Sequence, residues 1–401
     1  MSTSLLTNET RKQIPILLVL LACGSLTTMT GSVVAPVMPE VKDQLAIDPR
    51  WSGMLVSMHC LTIFLFSPIC GILADRIGKA KVLIPSLICY AIFGTAGALA
   101  NGFTPLLISR ALLGAASGGI AAASIGILSS MYEGEKRTRI LGYTTSALAI
   151  ASIIFPIVGG LIGSYNWRFT FGMYSLGLPA ALLAYILLPR GKRKGSSSIN
   201  LTQQKDRLIA SLKAPSTITL FIALALTSAI FYVVIIYAPL HFKQSIGADT
   251  VVNGAILASR AIGAAVISAV GASKLAKRLG SAKAIALGFT LMAATLITIP
   301  FLKEIYLILP TAIIFGMGFG IVMPNLYDAL SKSTPKEVRS SILAIGTGAS
   351  NLGQFFSPIL LGPVWKNAGI GVFFVGAGVA LVTSFLSIQQ GKALETTKYG
   401  K

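Results

Sequence analysis

Residues 13–388 run as a succession of twelve apolar stretches separated by short polar joints. Each stretch is at least about as long as the ~20 residues an α-helix needs to cross a bilayer. They cover 13–37, 51–73, 80–100, 104–127, 140–163, 168–189, 216–240, 250–273, 281–301, 305–330, 339–364 and 368–388. Only membrane hydrocarbon accommodates so much apolar length, and there each backbone N–H and C=O must be satisfied within the protein. Long runs without the short alternating segments of barrel strands predict helices. Composition agrees, with 54% hydrophobic and 11% charged residues, where soluble chains carry about a quarter charged. Cys23, Cys60, Cys70 and Cys89 all lie inside apolar stretches at spacings that suggest neither a disulfide framework nor a metal site.

The distribution of basic residues orients the spans. With a cytoplasmic N-terminus, 25 of the 33 Lys and Arg residues fall in inner segments and 6 in outer ones, leaving Arg110 and Arg260 within spans. This asymmetry predicts both termini inside. The net charge of +20 is therefore spread over membrane-flanking loops, which excludes a nucleic-acid face and makes anionic lipid headgroups the natural counter-charge. The first stretch is about 25 residues long and follows Glu9, Arg11 and Lys12, so it is expected to be a retained span rather than a cleaved leader. The longest inner loop divides the chain into an N-terminal bundle over 1–189, a linker over 190–214 and a C-terminal bundle over 215–401.

A charged turn links spans 2 and 3, and it recurs. LADRIGKAK at 73–81 reappears 202 residues later as LAKRLGSAK at 275–283, with six of nine residues identical. The same shift carries Gly114 onto Gly316, Gly118 onto Gly320, Arg137 onto Arg339, Pro156 onto Pro358 and Gly160 onto Gly362. One constant offset over separate regions implies duplication of a six-helix unit, and duplicated bundles meeting at a midplane site are a transporter architecture. Asp75 stands at the C-terminal end of span 2, where the helix dipole disfavours a carboxylate. Its expected partners are Arg76, Lys79 or the N-terminus of span 11, which makes the turn either a conformational latch or a topology anchor. The equivalent residue of the second copy is Lys277.

These motifs resemble those of the major facilitator superfamily. GILADRIGKAK, with Gly71, Asp75, Arg76, Gly78 and Lys79, is similar to the signature loop G-x-L-x-D-R-x-G-(R/K)-x-(R/K) between spans 2 and 3. LLISRALLGAASGG at 106–119 resembles the span 4 motif, with Arg110 as its arginine. FPIVGG at 155–160 resembles the span 5 motif G-P-x-x-G-G, with Pro156, Gly159 and Gly160 in place and Phe155 replacing the first glycine. PVMP at 36–39 resembles the P-V-x-P signature of the twelve-helix drug:proton antiporters. The resemblance implies an all-α membrane protein of twelve helices in two pseudo-symmetric bundles. It also implies a proton-coupled exporter working by alternating access from the bacterial inner membrane, with Arg110 associated with proton coupling and the Pro156 region gating span 5. The plain reading of Pro156, Gly159 and Gly160 is a kink and close helix packing.

Ionisable groups at bilayer depth are site candidates. Arg110 lies about 10 Å inside the outer end of span 4 and either reaches that interface or faces the interior; Arg260 lies about 20 Å from the inner end of span 8. His59 is a candidate proton carrier or a packing residue. No Asp or Glu lies deep in the first six spans, and Asp328, following Asn325 and Tyr327 near the inner end of span 10, is the best remaining acid. Thr27, Thr28, Thr30, Tyr232, Asn325, Asn351 and Gln354 are expected to line the cavity. Phe231, Tyr237, Met317, Phe319 and Met323 would form an adaptable apolar wall or ordinary core. Two arginines without a deep carboxylate repel cations, so the expected substrate is a small amphipathic neutral or anionic compound. The alternatives are an importer of an organic anion and a non-transporting membrane sensor. No nucleotide loop is present, and His59 and His241, the only histidines, have no metal-ligand spacing. The expectation is thus a monomer with substrate, protons and lipids as partners, without cofactor, metal or enzymatic activity.

Overall fold

The computed structural model describes residues 3–132, 134–188 and 201–399. The chain begins with α1 (Thr3–Ser32) and α2 (Met38–Gln44), then α3 (Pro49–Ser52), α4 (Met54–Ile77), α5 (Lys79–Ala96), α6 (Phe103–Met131) and α7 (Gly134–Gly163). The short α8 (Trp167–Gly172) and a 3₁₀ turn at Met173–Leu176 lead into α9 (Gly177–Leu187). After α10 (Leu201–Lys213) come α11 (Pro215–Ile246), α12 (Thr250–Val270), α13 (Ala272–Leu279), α14 (Ser281–Thr298), α15 (Ile305–Lys332), α16 (Arg339–Ala368) and α17 (Gly371–Tyr399). Part of the expected linker, 189–200, lies outside the described residues, and its remainder carries α10.

Two compact units are present, Met1–Ile47 with Leu55–Gly195, and Asp48–Met54 with Ser196–Lys401. Helix pairing repeats from one to the other. In the first, α1 packs on α7, α5 on α6, and α5 on α9. In the second, α11 packs on α16, α14 on α15, and α14 on α17. These are the same three pairs shifted by one copy, so the duplication read in the sequence is also one of packing.

Eleven helical stretches among the described residues are long and apolar enough to cross a membrane, and each overlaps one expected span. The remaining expected span, 339–364, is α16, an unbroken helix of 30 residues outside that set. Its apolarity is diluted by Ser340, Ser341, Thr347, Ser350, Asn351 and Gln354. Along α16, Ser350 and Ser357 are buried while Phe356 and Leu360 are exposed. At these four positions the polar groups turn inward and the apolar ones outward, as suits a lipid solvent.

The recurring turn needs glycine. Gly78, between α4 and α5, has φ +109°, and Gly280, between α13 and α14, has φ +84°. Both values lie where a Cβ is strained. A second repeated requirement is close helix approach: a Cβ at Gly114 would collide with Thr62 and the backbone of His59, and one at Gly316 with the carbonyl oxygen of Arg260. The two contacts seat α6 on α4 and α15 on α12 in equivalent ways.

Segment Asp48–Met54 reaches α16 through its own close contact. Arg50 places its carbonyl where Gly362 has no Cβ, and Gly53 lies against Pro358 and Ile236. Asp48 accepts from Lys366 Nζ at 2.8 Å and caps α3 by accepting from the Arg50 N–H at 2.8 Å. The Lys366 hydrogen bond, aided by that cap, holds the Asp48 carboxyl below the usual carboxylate range. A depressed acid contributes stability above its unfolded pKa and loses it as pH falls through the folded one. Asp48→Asn is therefore expected to melt slightly below the wild type at pH 7, with the gap closing as pH drops through the carboxylate range. In the same thermal-unfolding assay, Gly316→Ala should destabilise by about 1–3 kcal/mol through overpacking. Gly24→Ala, with nothing within 4 Å of the new Cβ, should stay within about 0.5 kcal/mol.

Candidate functional site

The two arginines within spans have opposite surroundings. Arg110, on α6, is fully buried. Its Nε donates to the Leu55 carbonyl on α4 at 3.3 Å and its Nη2 to the Thr30 carbonyl on α1 at 2.6 Å. Both Nη atoms donate to the Tyr174 hydroxyl at 3.0 Å, and that hydroxyl donates onward to the Thr30 carbonyl at 3.0 Å. The Tyr174 ring lies 5.3 Å from the guanidinium carbon and the Phe171 ring 5.5 Å. Tyr90 packs edge-on against Tyr174 and donates to the Leu26 carbonyl at 2.6 Å. This collar spreads the charge over neutral acceptors and aromatic faces, so Arg110 is bonded inward rather than carried to the interface. It ties α1 and α4 to α6. Tyr174, Tyr90 and Phe171 escape a reading of the sequence because each looks like one more aromatic in an apolar span; the signal was Arg110 itself, a cation that had to find acceptors.

His59, one turn along α4 from Leu55, is buried, and its Nδ1 has no hydrogen-bond partner. Its Nε2 lies 3.4 Å from Cys60 Sγ. Thr30 also shares a hydrogen bond of 2.8 Å with Ser117, and Thr27 donates to the Gly24 carbonyl at 2.6 Å. Thr28 supplies a carbonyl to Ser32. On α7, Gly159 lets the backbone of Val33 approach, with buried Pro156 one turn earlier and Gly160 beside it.

Arg260, on α12, is also buried, 6% exposed, yet its Nε has no hydrogen-bond partner and it forms no ion pair among the described residues. Its guanidinium carbon lies 4.1 Å from the ring centre of Phe231 on α11. Phe231 in turn stacks on Phe319 of α15, centroids 4.1 Å apart and planes 24° from parallel. Tyr232 is buried beside Phe231 at 6.2 Å between rings. Asn253, two turns earlier on α12 and on the same face by helical period, is fully buried with neither side-chain amide atom bonded. The Ser228 hydroxyl on α11 is likewise buried and unpartnered. Unsatisfied buried polar atoms are rare in folded proteins, and each asks for an explanation. Here they concentrate on α11 and α12.

The other expected residues are more dispersed. Asn325 donates to the Ile321 carbonyl at 2.7 Å, while Asn351 and Gln354 are half-buried on α16. Asp328 is exposed and paired with Lys332 one turn on. In the charged turn, Asp75, Arg76 and Gly78 are exposed, and Asp75 has no ion pair among the described residues. Lys79 donates to the Gly126 carbonyl at 2.7 Å, and a Cβ at Gly71 would only just reach Ala122. Thr27, Thr28, Thr30, His59 and Arg110 belong to the first unit; Tyr232, Arg260, Asn325, Asp328, Asn351 and Gln354 belong to the second.

The sequence matches the Major Facilitator Superfamily over residues 20–358. The chain belongs to that superfamily. It is a multi-pass membrane transporter of small molecules and not an enzyme. Among its relatives are the bacillibactin exporter of Bacillus subtilis (strain 168), 21% identical over 369 residues that cover 90% of this chain and 92% of the relative. The multidrug resistance protein MdtG of Enterobacter lignolyticus (strain SCF1) is 25% identical over 384 residues, covering 93% and 90%. A solved structure of the peptide transporter POT in complex with sulfate shares the fold, with a TM-score of 0.79, 14% of the residues identical and 94% of each chain covered.

The collar makes a measurable claim about this transporter. Tyr174→Phe removes a hydroxyl that accepts from Arg110 and donates to Thr30, and is expected to lower stability by about 1–3 kcal/mol. Thermal unfolding of purified protein would check it, with Tyr306→Phe, exposed on α15, as the matched control near zero.

Proposed function

We propose that this transporter is a proton-coupled exporter of small amphipathic organic compounds, anionic or neutral, in a bacterial inner membrane with both termini in the cytoplasm. The single observation that carries the substrate class is the contrast between the two arginines. Arg110 is satisfied by its own unit, whereas Arg260 is a buried cation whose Nε waits for an acceptor. A buried charge without a partner costs several kcal/mol, and an anionic cargo offsets that cost during the part of the cycle in which it is bound. An organic cation would add a second uncompensated charge.

Outward direction is supported by relatives that are themselves named as an exporter and a multidrug resistance protein. The basic asymmetry of the loops supports cytoplasmic termini. Alternating access of two duplicated bundles fits a chain whose six-helix units pack alike. In this reading the turn with Gly71, Asp75, Arg76, Gly78 and Lys79 is the latch between conformations, and α7 bends or slides at Pro156, Gly159 and Gly160. His59 and Asp328 are the titratable groups assigned to proton coupling. His59 is buried with one ring nitrogen open, and Asp328 is exposed beside Lys332. The working unit is a monomer.

Everted membrane vesicles energised to an acidic interior test the proposal. An anionic dye such as carboxyfluorescein and a neutral amphipathic dye should accumulate, and dissipating the pH gradient should abolish the accumulation. A cationic dye should not accumulate. Arg260→Gln should cut accumulation of the anion at least tenfold while membrane insertion stays intact. Accumulation that ignores the gradient would remove proton coupling, and accumulation only in right-side-out vesicles would make the protein an importer.

A further inference from the structure

The two copies of the recurring turn are built differently. In the first, α4 runs unbroken from Met54 to Ile77, and Ile72 and Leu73 are exposed in its last turns. In the second, the helix ends at Val270, and Gly271 separates it from the eight-residue α13. Around α13, Ala272, Leu275, Ala276 and Leu279 share one side by helical period, and Lys274, Lys277 and Arg278 share the other. The helix packs on α14 and α15, with Ala272 buried and Leu275 and Ala276 half-buried. The three cations are exposed, and so is Lys283 in the first turn of α14. At the common offset, Lys274 stands where the first copy has Ile72, and Lys277 where it has Asp75.

Nothing within the chain balances this charge. No Asp or Glu occurs from Thr250 to Lys303, and none of the four cations forms an ion pair among the described residues. Lys274 lies three and four residues before Lys277 and Arg278, spacings at which like charges destabilise a helix. The helix dipole accounts for Lys277 and Arg278 in the last turn of α13, but it disfavours Lys283 at the start of α14. Covalent connection fixes the depth of the face. Both α12 and α14 are long and apolar enough to cross a membrane, so the helix joining them sits at the level of the lipid headgroups.

We infer that α13 and Lys283 form a docking face for anionic glycerophospholipids, with phosphodiester headgroups against Lys274, Lys277, Arg278 and Lys283. Leu279, 42% exposed beside the cationic side, enters the acyl region. Each Lys or Arg at a negative bilayer surface strengthens attachment roughly fivefold, so several on one helix concentrate anionic lipid there. The general basicity of the loops attracts such lipid everywhere; this face is a local site, and it belongs to the second copy alone, because the first has Asp75 and an apolar Ile72 in its place.

Fluorescence quenching on the full chain in lipid nanodiscs tests this without any transport step. A bimane label is placed at Ser273→Cys, exposed beside the cationic side, or at Ile72→Cys in the first copy. Cys70 and Cys89, the native thiols that are not buried, are replaced by serine in both. Nanodiscs of phosphatidylcholine contain either phosphatidylglycerol or phosphatidylcholine spin-labelled on the acyl chain near the headgroup, at equal mole fraction. Phosphatidylglycerol is expected to quench the label at 273 at least about threefold more than phosphatidylcholine, and the two lipids should quench the label at 72 equally. Salt at about 1 M, where the screening length is about 3 Å, should bring the ratio at 273 close to one. Combined Lys274→Gln, Lys277→Gln and Arg278→Gln should do the same at low salt, and each single substitution should lower the ratio, which keeps the question open to measurement if the triple variant fails to fold.

Equal quenching by both lipids at 273, a preference unchanged by the glutamine substitutions, or the same preference at 72 would overturn the inference, the first two leaving α13 an ordinary solvated face. Loss of the preference on adding inorganic phosphate, but not on adding chloride of equal ionic strength, would make this a site for free phosphate and overturn it as well. No outcome here bears on direction, coupling or cargo, so the exporter reading stands or falls by its own vesicle assay.

Discussion

In hydrocarbon no water is available to satisfy a polar group, and this one fact orders the structure of the protein. Helices close their own backbone bonds, and hydroxyls turn back onto carbonyls one turn away, as Ser25, Thr95, Thr227 and Thr383 all do. Large apolar side chains such as Ile72, Leu182, Leu360 and Phe385 face outward. Association between helices then depends on fit rather than on exclusion of water, so glycine-mediated contacts such as Gly114 on α4 and Gly316 on α12 become the places where helices within each unit are joined. A cation in this setting has two fates. It is enclosed by acceptors, as Arg110 is, or it stands ready for a ligand, as we propose for Arg260.

Duplication supplied the two units with one scaffold and left their charges free to diverge. The glycines that set turns and contacts coincide at the common offset: Gly78 with Gly280, Gly114 with Gly316. The ionisable residues do not, since Asp75 corresponds to Lys277, Arg110 to Ala312 and Arg260 to Met58. Backbone geometry tolerates few alternatives at a positive φ or a carbonyl contact, whereas a side chain at the centre of a bundle alters function with little change in fold. The first unit has spent its buried cation on cohesion, drawing α1, α4 and α6 together through Thr30, Leu55 and Tyr174. The second holds its own on an aromatic stack instead.

Much of this was legible in the residues because lipid imposes long-range periodicities that a single sequence displays. The spans, the glycine turn and the repeat follow from length, apolarity and a constant offset. Span 11 shows where that logic thins: polar residues lower its apolarity, and that Ser350 and Ser357 are buried among them is a fact only packing reveals. The partners of Arg110 were illegible for a different reason. Two are backbone carbonyls, which carry no sequence signal, and the third is a tyrosine 64 residues away. Likewise, nothing in PRWSG at 49–53 announces that this short segment joins the second unit, since the contact is made by the missing side chains of Gly53 and Gly362. At Arg260 the sequence disclosed the charge and its neighbours Phe231 and Phe319 by type, but not that they touch.

The chemistry of a guanidinium constrains how an anion site at Arg260 can serve a transport cycle. Arginine does not give up its proton under physiological conditions, so the grip on an anion cannot be released by titrating the group that makes it. Release must come from separating the fork from the anion, or from admitting water that competes for both. At Gly316, α15 comes so close to α12 that no Cβ fits against the Arg260 carbonyl, so the helices carrying Phe319 and Arg260 are tightly packed. The separable member of the stack is Phe231, carried on α11. Withdrawal of that ring would uncover the flat face of the guanidinium to water, strengthen its hydration and weaken its hold on the anion. In such a scheme proton movement acts elsewhere, on the balance between conformations, and the anion site responds through geometry alone.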